Sequence, residues 1–469
     1  MSAELLTRRA LRARGVFAGP APIRIVHLGL GAFHRAHQAF YTMHARDGQT
    51  WGIASFTGRN PDQAKILSAQ EGLYTLVERG PSGDRAEIIT SVVEAVDGSD
   101  IDRLTVLLAD SRVAIVTLTI TEGGYRVTPE GELDLEDSVI RGDLLALRAV
   151  WPDGPLVLAA PSAALTRLLI GLEARRQAAS GPIAVVSCDN LPDNGSLTGR
   201  AVSALARELD EDLAQWITES VSFVSTSVDR ITPRTAETPA VVTAEGWIDH
   251  ATVVTEPFHD WILSGDFPAG RPAWETAGAR FVDDIEPWEQ RKLWLLNGAH
   301  SILSYRGLQA GHETVAEAMG DPECRGLVES FWAEACALLP TSVDTVEYRK
   351  ALLERFKNDR IVHRLDQISS ESTVKARVRF GAVAERTKES GGDASASLNA
   401  IATWIAWVLA GFESPDSRQA ELDEALKSSD PIGELLRLIS PTLAADVSTL
   451  EQVRAAAHSA LTKKPKDKP

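Results

Sequence analysis

The chain has 469 residues, 44% hydrophobic and 24% charged, with 48 basic against 65 acidic side chains and a formal net charge of −17; that length predicts two domains rather than one core. The acidic balance excludes nucleic acid and anionic membrane as partners, and no apolar run approaches the ~18 residues of a membrane span. Three scattered cysteines, Cys188, Cys324 and Cys336, exclude a disulfide framework or a CxxC metal site, so the expectation is a soluble, cytoplasmic protein.

The basic opening "LTRRALRARG" reads as a helix docked on the body, with an Arg-rich transit segment as the alternative. "IRIVHLGLGAF" is a β-branched run that breaks into Gly-x-Gly, and "HRAHQAFYTMHARDG" after it suits one helix ending at Gly48. "WGIASF" is a second strand and "PDQAKILSAQEG" a second helix starting on Pro61, which gives a βαβα opening. "VAIVTLTITEGGY" and "GPIAVVSCDN" are buried strands ending in polar loops. Strands alternating with helices predict a mostly parallel sheet with ligands at the carboxyl ends of its strands. Near residue 280 long helical patterns take over, among them "RGLVESFWAEACALLP" and "ASASLNAIATWIAWVLAGF". The predicted domains are therefore 1–280, α/β, and 281–469, mostly α-helical, with the basic tail "KKPKDKP" a solvated terminus.

Gly29-Leu30-Gly31 stands where a strand meets a helix, a position that brings backbone N–H groups against a pyrophosphate; a tight turn without ligand is the alternative. The third glycine of GxGxxG is replaced by His34, which implies looser helix-to-strand packing. His34 and His37 form an HxxH pair that can hold zinc, but no third ligand stands at matching spacing, so surface or loop-contacting histidines are the expectation and no metal is assigned.

"RKLWLLNGAH", residues 291–300, sets Lys292, Asn297 and His300 among leucines and a tryptophan. On an α-helix of about 100° per residue, Asn297 lies about 140° and His300 about 80° around from Lys292, so one sector can hold all three. Lys292 and His300 are then about 12 Å apart along the axis, so one substrate spans them or Gly298 bends the segment. A lysine enclosed by Trp288, Trp294 and leucines loses stability as an ammonium and moves toward the range of a general base. Glu289 is placed to relay its proton. The alternative for Lys292 is a snorkelling surface lysine.

These stretches, together with "GLGAFHRAHQAFYT", "QEGLYTLVE", "TLTITEGGY", "SCDNLPDNG", "SVDRITP" and "GRPAWE" in the same order, resemble the polyol-specific long-chain dehydrogenases. That is the mannitol 2-dehydrogenase family, which also holds the fructuronate and tagaturonate reductases. The resemblance implies a Rossmann-type N-terminal domain with a mostly α-helical C-terminal domain, NAD or NADP as cofactor, and no metal. It implies that Lys292 is the general base, that Asn190 and Asn297 donate amide hydrogen bonds to the reacting oxygen, and that His300 orients a neighbouring hydroxyl. Gly29, Leu30, Gly31, Ala32 and Phe33 would form the pyrophosphate turn, and Thr119, Thr121 and Glu122 would approach the nicotinamide ribose. Asp229 would accept from a distant substrate hydroxyl or buttress the site, unless it caps a turn, and Lys375 would reach the substrate.

Two departures stand out. Arg59 and Asn60 occupy the loop after the second strand, where NAD-preferring relatives carry acids, so Arg59 is a candidate reader of the 2′-phosphate of NADP; its alternative is a solvent-facing arginine. "LDQISSESTVKARVRF" lacks the proline of the related segment, with Gln367 in place of an arginine. The function implied is interconversion of a sugar alcohol, mannitol- or arabinitol-like, and its ketose. A hexuronate reductase is the enzymatic alternative, favoured if Lys375 or Arg377 points into the pocket, and a non-catalytic dinucleotide-binding protein is the other. The partner is a small-molecule polyol or ketose, with no nucleic acid and no membrane, for a monomer or small homo-oligomer.

Overall fold

Strands Ile23–Leu28 (β1), Gly52–Phe56 (β2), Val92–Val96 (β3), Ile115–Leu118 (β4), Ile183–Ser187 (β5), Val221–Asp229 (β6), Asp260–Ser264 (β7) and Arg280–Phe281 (β8) form one sheet in the computed structural model. Their order is β8-β7-β6-β5-β4-β1-β2-β3. The stretch from β3 to β6 is parallel throughout, which is the doubly wound order with its reversal point between β1 and β4. β7 returns antiparallel on β6, and β8 lies parallel to β7. The structure describes residues 3–16, 19–151, 154–155, 160–233 and 239–462.

The central strands are buried on both faces, and the two-residue period of a strand sorts their side chains into two cores. Val26, Leu28, Ala54, Phe56, Val116, Leu118 and Val185 belong to one. Ile25, Ile53, Ile115, Ala184 and Val186 belong to the other. A hairpin of Tyr74–Gly80 and Gly83–Ile89, joined by Val253–Thr255, forms a separate small sheet. The basic opening is a docked helix: Thr7 caps Arg8–Ala13 through a bond from the Ala10 N–H, Ala10 and Leu11 are buried, and Arg8 donates to the Thr90 and Val92 carbonyls at 2.8 and 3.0 Å.

The helix expected to run to Gly48 is two helices, Ala32–Ala36 (α1) and Gln38–His44 (α2), broken at His37 with φ −121° and ψ −85°. The break has a tertiary cause. The buried His37 ring bonds the Asp260 carbonyl through Nε2 at 3.1 Å and accepts from Gln38 at 3.0 Å. The second helix, Asp62–Ala69 (α3), does start behind Pro61.

The chain divides into two compact units, Met1–Glu286 and Pro287–Pro469. The division falls after 280 because β8 pairs with β7 and keeps Arg280 and Phe281 in the first sheet. In the second unit Ala299–Gln309 (α4) is almost wholly buried, packed against Pro322–Ala337 (α5) and Ser395–Leu409 (α6). No helix among the described residues is long and apolar enough to cross a membrane. The basic tail lies outside the described residues.

Candidate active site

In the first unit the glycine turn at the end of β1 separates into a closed half and an open half. Gly29 has φ +115°, and a Cβ there would lie 2.0 Å from the Thr119 carbonyl oxygen, so only glycine fits. The Gly29 and Leu30 N–H groups both donate to the Phe56 carbonyl, at 2.9 and 2.8 Å, and the Leu30 side chain is buried. These two residues shape the turn and have no backbone donor left for a ligand. Gly31 differs. It caps α1, and an added Cβ would meet nothing closer than 3.6 Å, so the protein's own packing does not demand glycine there. An approaching pyrophosphate does, and donors for it begin at Gly31 and the first α1 residues, Ala32 and Phe33. The turn therefore fits a dinucleotide.

His34 does not loosen this packing. Its fully buried ring stacks on that of His27 with centroids 3.4 Å apart and planes 8° off parallel. Two imidazoles fill the space that a glycine would have closed. His34 Nε2 bonds Ser55 Oγ at 3.0 Å. The HxxH histidines are thus core residues rather than surface ones, since His37 is also fully buried, and burial pushes the pKa of His27 and of His37 down to about 3 and that of His34 well below the usual range.

Thr119 Oγ1 donates to the Gly29 carbonyl at 2.8 Å and bonds His27 Nε2 at 3.0 Å, so toward a ribose it can act only as acceptor. Thr121 and Glu122 are exposed, and Thr121 holds a strained φ of +67°. Asp189, which sequence reasoning passed over, sets that loop: it accepts from the Ile120 and Thr121 N–H groups at 2.9 and 2.8 Å and from Tyr125 at 2.9 Å. Asn190 follows it, exposed beyond the carboxyl end of β5. Asp229 is buried at the end of β6, in register with Asp260. Arg59 is exposed on the loop after β2, and Asn60 accepts from the Asp62 N–H at 2.8 Å, starting α3.

In the second unit the segment that holds the proposed base is not α-helical. Lys292–Gly298 is a π-helical turn between the helix Glu286–Arg291 and α4. Its wider turn replaces the 100° spacing assumed from sequence, and such turns recur at functional sites. Gly298 permits it, because a Cβ there would lie 2.6 Å from Phe331 of α5. Lys292, Asn297 and Glu289 are half-buried on and before this turn, and His300 is buried just beyond it. The tryptophans do not serve only Lys292, as Arg291 lies over Trp288 at 4.8 Å and Arg386 over Trp294 at 5.2 Å. The His300 ring packs on Phe356 and His363 at 4.9 and 4.7 Å, and its Nε2 is buried without a hydrogen-bond partner. Burial, then His363 and the cations Arg355, Arg379 and Lys375, hold His300 neutral, well below the usual imidazole range.

Lys375 Nζ donates to the Ile368 carbonyl at 2.9 Å and bonds Ser370 Oγ at 3.4 Å, which directs it to its own loop, and Arg377 is exposed. The residue that reaches the π turn is Arg379, not singled out from sequence. It stands on a second π turn, Arg377–Gly381, and its Nη1 donates to the Asn297 carbonyl at 2.9 Å and to Ser301 Oγ at 2.8 Å. A repeat of Lys375 at the i+4 position was the available signal. One group among the described residues has metal-like composition: His312, Asp321 and Cys324, with ligand atoms within 4.8 Å of one another.

Residues 23–276 match the mannitol dehydrogenase Rossmann domain and residues 284–438 the mannitol dehydrogenase C-terminal domain. The chain is 36% identical to a D-mannonate oxidoreductase of Escherichia coli (strain K12), over 81% of this chain and 79% of that one. It is 32% identical to a polyol:NADP oxidoreductase of Gluconobacter oxydans (strain 621H), over 88% and 87%. Among solved structures, a Pseudomonas fluorescens mannitol 2-dehydrogenase in ternary complex with NAD and D-mannitol matches with a TM-score of 0.76 and 29% identity, over 98% and 96%.

Proposed function

The chain belongs to the mannitol dehydrogenase family of oxidoreductases, and from that premise we propose that it interconverts a secondary alcohol on a linear polyhydroxylated chain and the corresponding ketone, a mannitol- or arabinitol-like polyol and its ketose, with Lys292 as general base. Bound NAD or NADP supplies the hydride acceptor and donor. Lys292 takes the hydroxyl proton as the C–H electron pair leaves with hydride and the C=O bond forms; Glu289, three residues earlier, passes that proton to water. The amides of Asn297 and Asn190 donate to the oxygen on which charge develops. Neutral His300 offers a ring nitrogen to an adjacent hydroxyl.

The observation that carries this reading is the π turn, which sets a half-buried lysine and a half-buried carboxamide on one distorted segment directly before a buried, incompletely bonded histidine. The test is reduced-nicotinamide absorbance with D-mannitol, arabinitol, sorbitol, D-mannonate and fructose, each with NAD and NADP. No turnover of any of them overturns it. The same assay reads Arg59: NADP should be used at least comparably to NAD, and Arg59→Glu should lower the NADP/NAD ratio of kcat/KM by about tenfold or more, the scale of one charge-assisted phosphate contact. An unmoved ratio removes Arg59 from that role.

A further inference from the structure

We propose that Asp189 is a positioning residue for the cofactor: its carboxylate holds the loop after β4 in a strained conformation that presents Thr121 and Glu122 to the nicotinamide ribose, while its backbone leads into Asn190. The inference rests on the dehydrogenase reading given above and adds a positioning residue in the first unit.

Thr121 is a backbone outlier. Its φ of +67° and ψ of 157° lie in a region that is essentially glycine-only, and a residue persists there only when its surroundings over-determine it. Among the described non-glycine residues with positive φ, Thr121 is also the one that is β-branched, the kind that tolerates such angles least. Asp193, Glu371 and Ala394 share the sign of φ but have ψ of 45°, 42° and 22°, close to the ordinary left-handed region. Thr121 and Glu122 are both exposed. Core packing therefore does not repay the strain, and strain of this kind gathers where a ligand is held.

The Asp189 carboxylate is what fixes Thr121. Oδ1 accepts from the Thr121 N–H at 2.8 Å, and Oδ2 accepts from the Ile120 N–H at 2.9 Å and from the Tyr125 hydroxyl at 2.9 Å. Two successive N–H groups aimed at one carboxylate fix the peptide between them, and bonds to a charged acceptor are the stronger kind. Asp189 is itself anchored: it is buried, and its carbonyl accepts from Asn194 Nδ2 at 2.8 Å and from the Leu191 N–H at 2.9 Å. At the start of the loop Thr119 Oγ1 donates to the Gly29 carbonyl at 2.8 Å. The segment is thus tied at one end to the glycine turn and at the other to the residue before Asn190. It lies at the carboxyl ends of β1, β4 and β5, beside the reversal point where a dinucleotide binds in such a sheet.

The test measures the dissociation constants of NADH and NADPH by fluorescence titration for wild type, Asp189→Asn, Thr121→Gly and the double variant. Asp189→Asn should weaken the tighter-binding cofactor about 10- to 100-fold, the scale of hydrogen bonds to a charged group. In the Thr121→Gly background the same substitution should cost less than about threefold, since glycine adopts positive φ without being held there. A general loss of structure at Asp189 would cost the same in both backgrounds. In cofactor-free wild type, a peptide covering residues 119–125 should be protected from hydrogen exchange, because the bonds to Asp189 are already formed. Equal losses in the two backgrounds, an unmoved constant in Asp189→Asn, or full exchange of that peptide overturns the inference and leaves the dehydrogenase reading intact. Failure of wild type to bind either cofactor overturns that reading, and this inference with it.

Discussion

The first unit buries histidines that have partners, and the second buries one that does not. His27 bonds Thr117 through Nδ1 at 2.8 Å and Thr119 through Nε2, and it stacks on His34. Because Thr119 donates onward to the Gly29 carbonyl, the His27 proton is assigned to Nε2, and the chain of bonds ends on the glycine turn. Nearby, His34 Nδ1, Gln38 Oε1 and Trp261 Nε1 are buried without a hydrogen-bond partner. In the second unit His300 Nε2, His363 Nδ1 and Arg379 Nε are all buried without partners. Buried polar groups are bonded as a rule, so the closed network of His27 and His37, each bonded on both ring nitrogens, belongs to the fold, whereas the open group around His300 has donors and acceptors left over.

The largest expected effect lies in the second unit. Lys292→Ala should lower kcat by about 10² to 10⁴-fold, the usual contribution of a positioned base, with the dissociation constant of the cofactor nearly unchanged. A loss of less than about tenfold removes Lys292 from the role. A paired substitution then sharpens the contrast between units. His34→Ala should lower unfolding free energy by about 2 to 4 kcal/mol, a core-cavity effect, with kcat of the folded enzyme close to wild type. His300→Ala should do the reverse, lowering kcat/KM about 100-fold at a smaller loss of stability. If denaturant titration and kinetics give the opposite pattern, the distinction between closed and open networks fails.

Acid should expose the same difference. A histidine with its folded pKa below the unfolded 6.5 leaves the unfolded chain binding more protons, so its stabilisation is complete above about pH 6.5 and is lost as pH falls toward 3. His27 and His37 near 3, His34 well below 6.5 and His259 near 4 all lie in the first unit. The second unit has His300 and His363 shifted in that direction. Each contributes at most about 1.4 kcal/mol per pH unit within that window. Hydrogen exchange followed by mass spectrometry should therefore show the first unit losing protection before the second between pH 6 and about pH 4. Earlier loss in the second unit contradicts the assignment.

The sheet was legible because short, continuous β-branched runs such as Ile115–Leu118 and Ile183–Ser187, buried at every position, mark central strands covered on both faces. The glycine turn was legible because only glycine meets the Gly29 geometry. Local patterns did not reveal what tertiary bonds decide. His37 breaks a helix through the distant Asp260 carbonyl, and Lys292–Gly298 widens into a π turn with Gly298 against Phe331 and Arg379 on the Asn297 carbonyl. Sequence spacing placed Lys292, Asn297 and His300 on one segment. It could not supply the geometry of that segment, nor distinguish Arg379 from Arg377, because both depend on contacts far along the chain.

The smallest expected effect is none at all: exhaustive chelation should leave kcat and the thermal midpoint unchanged. In the first unit the HxxH pair is already engaged, with His34 on Ser55 and His37 on the Asp260 carbonyl and Gln38. In the second, the grouping of His312, Asp321 and Cys324 has an account without an ion. His312 Nε2 bonds Asp321 Oδ2 at 3.2 Å, while Asp321 Oδ1 accepts from the Glu323 N–H at 2.9 Å as the cap of α5. Both carboxylate oxygens are thus used in tying the end of α4 to the start of α5. A zinc ion would have to displace the first of these bonds and hold Cys324 as thiolate. Activity lost on dialysis against a strong chelator and regained with zinc would make that grouping a metal site, and His312→Ala would then abolish the recovery.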